Sequence, residues 1–92
     1  MEVLLDGRLM ISREALHDML QKELSLPGHY GRNLDALYDV LSECPHKLEI
    51  TLIHTDEMLS NLGKYGHAFI KTLWDASSEY PNVNLSISNE II

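Results

Sequence analysis

The stretch from Leu26 to Ser42, LPGHYGRNLDALYDVLS, constrains this chain more than any other. Pro27 has no amide hydrogen, and Gly28 and Gly31 open backbone angles that other residues avoid. The segment Pro27–Arg32 therefore cannot form the interior of a helix. Asn33 then offers a side-chain oxygen to the free amides of a new helix, the role of an N-cap residue. Leu34, Leu37 and Leu41 follow at i, i+3 and i+7 and form one apolar stripe. The opposite stripe carries Asp35, Tyr38, Asp39 and Ser42, with Glu43 just beyond. Asp35 sits in the first turn, where the helix dipole favours an acid, whereas Asp39 lies deeper and gains little. Two like charges at i, i+4 cost a helix roughly 0.2–0.5 kcal/mol. An acidic pair of this kind is often no more than a solvated face. A constrained loop bearing His29 and Tyr30, and feeding straight into that face, points instead to recognition.

The flanking chain alternates between two periodicities. Val3-Leu4-Leu5 is a short apolar run closed by Asp6-Gly7, the pattern of a strand and a turn. Ser12 can cap the next helix, with Ile11 and Leu16 spaced as a hydrophobic staple and Leu16, Met19, Leu20 and Leu24 on one face. Beside that stripe His17 reads as a packing or surface residue. The helix after Asn33 is expected to run from Leu34 to about Glu43, and Pro45-His46 breaks the chain. Leu48–Leu52 alternates apolar with polar, as a strand buried mainly on one face does. Thr55 is placed to cap a short helix ended by Gly63, and a longer helix is predicted from about Gly66 to Glu79. In that longer helix Phe69, Ile70, Leu73 and Trp74 are expected to face inward, and Asp75 and Glu79 form a second i, i+4 acidic pair. Pro81 stops it, and Val83–Ile87 is a last alternating strand. The resulting order, β-α-α-β-α-α-β, favours parallel pairing, because helices carry the chain back between strands.

Charge narrows the choice of partner. The 92 residues suit one small domain, and their net charge of −7 argues against nucleic acid or an anionic membrane, which both require a basic surface. It favours a cationic partner, although acidity also serves solubility. Cys44 is the only cysteine, so no intramolecular disulfide can form, which leans toward a reducing, cytoplasmic setting. The N-terminal residues have neither the basic start nor the apolar run of a signal peptide, and no apolar segment reaches membrane-spanning length.

Catalytic and metal chemistry find little support. None of His17, His29, His46, His54 and His67 stands at i, i+3 or i+4 from another on one helix, and a single cysteine rules out thiolate sites. Gly28 and Gly31 lack a phosphate-cradling frame, and Cys44 reads as a small apolar residue beside a turn. The enzymatic alternative makes Asp35 and Asp39 an acid/base pair with His29 nearby. Such pairs need environments that push their pKa values apart, which a helix face does not obviously provide. No metal or cofactor is expected.

The run LPGHYGRNLDALYDVL resembles the signature of the barstar family, intracellular inhibitors of barnase-type secreted ribonucleases. Agreement with the family prototype extends without a gap through Gly7, Leu16-His17, Leu20, Lys22-Glu23-Leu24, Tyr30-Gly31, Asn33–Leu37, Asp39 and Leu41, and weakens to pattern after Glu43. The resemblance implies a two-layer α/β domain with a three-stranded parallel sheet in order 1-2-3 and about four helices, monomeric when free. It implies no enzymatic activity. Its implied partner is a basic ribonuclease whose RNA-binding cleft the acidic helix enters as a phosphate mimic. The implied contacts are His29, Tyr30, Gly31, Asn33, Leu34, Asp35, Tyr38, Asp39 and Ser42, with Asp75 and Glu79 from the later helix. His29 and Tyr38 stand where the prototype has a different aromatic and a tryptophan, a further interface tryptophan has no counterpart, and the turn after the helix is shorter. Those departures leave open a different nuclease, or a non-nuclease partner for the same kind of domain.

Overall fold

Val3, Leu5, Ile50, Leu52 and Val83 are all buried, while Leu4, Thr51 and Asn84 between them are more exposed. That alternation is the period of strands covered on one face. The computed structural model of the chain describes residues 1–89. In order come strand β1 (Glu2–Asp6), a 3₁₀ turn (Gly7–Leu9), helices α1 (Arg13–Glu23) and α2 (Leu34–Ser42), and strand β2 (Leu48–Ile53). Helices α3 (Thr55–Leu62) and α4 (Lys64–Glu79) and strand β3 (Val83–Ile87) follow. The strands form one parallel sheet in the order β1-β2-β3, with Leu5 beside Leu52 and Leu52 beside Ile87. This is the α/β architecture that the resemblance implies, with four helices on a three-stranded sheet.

The covered face of the sheet meets Leu16 and Leu20 of α1, Leu37 and Leu41 of α2, Met58 of α3, and Phe69 and Leu73 of α4 in a continuous core. The other face is open and bears Glu2, Leu4, Glu49, Thr51, Asn84 and Ser86. At the carboxyl ends of the strands the backbone closes tightly. A Cβ on Gly7 would stand 2.3 Å from the His54 carbonyl oxygen, so only glycine fits where β1 passes the end of β2.

Four local expectations are corrected. Trp74 is 60 % exposed, because the buried line of α4 runs through Gly66, Phe69, Leu73 and Ala76, and Trp74 is turned about 100° from Leu73. Helix α4 starts at Lys64 rather than Gly66, since Gly63 (φ 55°) both ends α3 and opens α4. His54, in the left-handed region at φ 54°, occupies the N-cap of α3, and Thr55 is instead buried with its hydroxyl bonded to Asn89. Ile11 is 68 % exposed, so it does not close a staple over Leu16, although Ser12 does cap α1 by accepting the Ala15 amide at 3.1 Å.

Candidate partner-binding site

The loop between α1 and α2 is built from its own side chains outward. Its backbone takes positive φ at Ser25 (53°) and Arg32 (55°), angles that need support from outside the loop. Arg32 supplies much of it. Its guanidinium donates to Gln21 Oε1 (2.8 Å), Asp18 Oδ1 (2.6 Å) and the Glu14 carbonyl (3.2 Å), reaching along one side of α1. Gln21 in turn donates to the Pro27 carbonyl at 3.0 Å. Tyr30 turns inward, only 6 % exposed, and its hydroxyl lies 2.9 Å from His17 Nδ1. The other ring nitrogen of His17 meets the Tyr65 hydroxyl of α4 at 2.6 Å. His17 thus joins loop, α1 and α4. Burial, then the Arg32 charge, holds its pKa below the ordinary histidine range, and burial pushes the Tyr30 phenol up to about 12.

Asn33 ends the loop as expected. It accepts the Ala36 amide at 2.8 Å and donates to the Gly31 carbonyl at 3.2 Å, so both ends of its amide are engaged locally. Leu34 packs partly into the core, which with buried Leu37 and Leu41 fixes the rotation of α2. Asp35 and Asp39 are consequently exposed, and Glu43 continues their line at the next i+4 position. Among the described residues, no lysine, arginine or histidine pairs with Asp35, Asp39, Glu43 or Glu79. An acid/base role for Asp35 and Asp39 would require one of them in an apolar pocket, and both face solvent.

The second acidic pair comes alongside. Helices α2 and α4 pack against each other, with the Tyr38 and Tyr80 rings 5.7 Å apart. The Tyr80 hydroxyl, partial burial and the negative charges of Glu79 and Asp75 together push the Tyr38 phenol up to about 12. Those charges act on Tyr38 from α4, so Asp75 and Glu79 lie close to the α2 flank that carries Tyr38. Asp75 is already paired, with Lys71 Nζ at 2.8 Å. Ser42 spends its hydroxyl on the Asp39 carbonyl at 2.7 Å. His29 and Gly31 are exposed at the loop surface. The Tyr30 ring, 6 % exposed, supports the loop from beneath.

A family model described as "Barstar (barnase inhibitor)" matches residues 1–89 of the chain. The chain belongs to the barstar family. It is also 38 % identical over 80 residues to the "Putative ribonuclease inhibitor YrdF" of Bacillus subtilis strain 168, covering 85 % of this chain and 87 % of that one. Within the barstar frame, the roles of Arg32 and His17 were hidden from sequence reasoning, since neither residue type at those spacings announces a tether. Glu43 was visible from its spacing. Among the described residues no group of three histidine, cysteine, aspartate or glutamate side chains is arranged to hold a metal ion, and no helix is long and apolar enough to cross a membrane.

Proposed function

We propose that this barstar-family protein inhibits a basic, barnase-type ribonuclease by seating α2 and the loop before it in the enzyme's RNA-binding cleft. The observation that carries the proposal is the line Asp35, Asp39, Glu43, three exposed carboxylates at helical spacing that pair with no cation among the described residues. A ribonuclease cleft is lined with cations to hold phosphates. Carboxylates fixed on a rigid helix can accept the same charge-assisted bonds from arginine and histidine. Asp75 and Glu79 extend the negative surface, and His29 and Tyr38 adjust which enzyme fits. The absence of a disulfide suits action inside the cell, against an enzyme that would otherwise degrade cellular RNA.

The test is to titrate barnase with the purified protein while following RNA hydrolysis. Hydrolysis should fall to background near one equivalent, and Asp39→Ala should restore it at the same concentration. Undiminished hydrolysis in an excess of wild-type protein would refute the reading.

A further inference from the structure

Helix α2 has unlike flanks. On one side Tyr38 faces α4; on the other, Val40 and Cys44 line a cleft of about 380 Å³. Leu24, Leu26 and Pro27, from the loop that follows α1, form the facing wall, and Pro45 closes the end. Leu24, Leu26, Val40 and Cys44 also pack against the core, so the cleft is floored by the outer layer of the core itself.

Its lining is mostly apolar, and its polar side chains, His29, Glu43 and His46, are all exposed to solvent. Pro27 and Pro45 carry no amide hydrogen, and the Cys44 thiol already donates to the His46 carbonyl at 3.2 Å. The cleft therefore rewards an apolar group and offers a polar one little in exchange for its water. It is also continuous with the proposed binding face. Glu43 borders the cleft and continues the acidic line of Asp35 and Asp39, and exposed His29 belongs to both cleft and loop. A partner seated along Asp35, Asp39 and Glu43 would reach the cleft at Glu43. We infer that the cleft receives one apolar side chain, aromatic or branched, carried by the ribonuclease that docks on α2, an inference that rests on the inhibitor reading above. Charged contacts chiefly set approach and orientation, whereas a desolvated apolar anchor beside them adds residence time.

Barnase is the probe. Cys44→Phe and Val40→Phe would fill the cleft from its own wall, and each should weaken barnase inhibition by at least about tenfold. Cys44 is the single cysteine, so a disulfide reagent reports on the cleft in the unmutated protein. Saturating barnase should slow its reaction at least about tenfold by excluding the reagent. That second measurement decides the matter if the phenylalanine variants fail to fold. Wild-type inhibition by both folded variants, or a thiol that reacts equally fast with and without barnase, overturns the inference. If inhibition still depends on Asp39 in that case, the cleft alone is wrong. If wild-type protein leaves barnase untouched, both readings fall.

Discussion

The Nδ1 atom of His17 and the hydroxyl of Tyr30 lie 2.9 Å apart, thirteen residues distant in sequence, and join the first helix to the candidate binding loop. The Tyr65 hydroxyl occupies the other ring nitrogen. A neutral imidazole has one donor and one acceptor, so one phenol accepts from the ring and the other donates to it. His17→Ala should cost about 1–3 kcal/mol for each phenol left without a partner, read as a fall in the urea midpoint.

The same ring predicts a pH dependence. Burial depresses the folded-state pKa of His17, with Arg32 acting in the same direction and Asp18 opposing. Above about pH 6.5 both folded and unfolded chains are neutral at this ring, and its contribution is fully present. As the pH falls from there toward the depressed folded value, the unfolded chain takes up a proton first and stability drops. Urea unfolding between pH 7.5 and 5.5 should show a steeper loss for wild type than for His17→Gln. Parallel profiles would contradict this account.

Asp39→Ala should be the most costly substitution in binding, with Asp35→Ala next and Asp75→Ala well behind, because Lys71 already offsets Asp75. Removing Asp39 strands the partner's desolvated cations, so at least about a tenfold loss of barnase affinity is expected, or about 1.4 kcal/mol. Both α2 variants should fold normally, and Asp39→Ala should unfold at wild-type temperature or slightly above, since i, i+4 repulsion is relieved without losing the first-turn acid. Calorimetric titration beside thermal melts measures both.

Association with barnase should slow as salt rises. A net charge of −7 steers a cationic partner through a field screened over about 8 Å at physiological ionic strength. Stopped-flow rates at low and high salt test this, with dissociation changing much less.

Gly7→Ala should destabilise the fold by about 1–3 kcal/mol or more, since the new Cβ would meet backbone oxygens of both His54 and Ile53, which have no rotamer to change. Trp74→Ala, in contrast, should shift stability by no more than about 0.5 kcal/mol. Chemical denaturation of the pair separates a side chain that fills space from one that does not.

Much of the architecture was legible because period and punctuation agree in this chain. The alternation in Leu48–Leu52, the Asn33 cap and the breaks at Pro45 and Pro81 each mark a boundary that the structure keeps within a few residues. The acids of α2 were legible for the same reason, as their direction follows from Leu34, Leu37 and Leu41. What was not legible depends on long-range packing. Trp74 looks apolar enough to be buried, yet only the crossing of α4 over the sheet decides which flank is covered. Arg32 reads as an ordinary surface cation until the loop folds back and brings Asp18 to 2.6 Å. Nothing in the local pattern shows that His54, rather than Thr55, opens α3.

Arg32 has a consequence for how binding is divided in time. A loop free in solution must give up backbone freedom when it docks, roughly 1–2 kcal/mol for each residue ordered. Here the guanidinium fastens the segment between Pro27 and Asn33 to α1 through three acceptors, and Gln21 fastens it again at Pro27. That loss of entropy is therefore incurred when the chain folds, long before any partner is met. A partner arriving at this surface finds a shape already set, so docking requires collision and desolvation but no rearrangement of the loop.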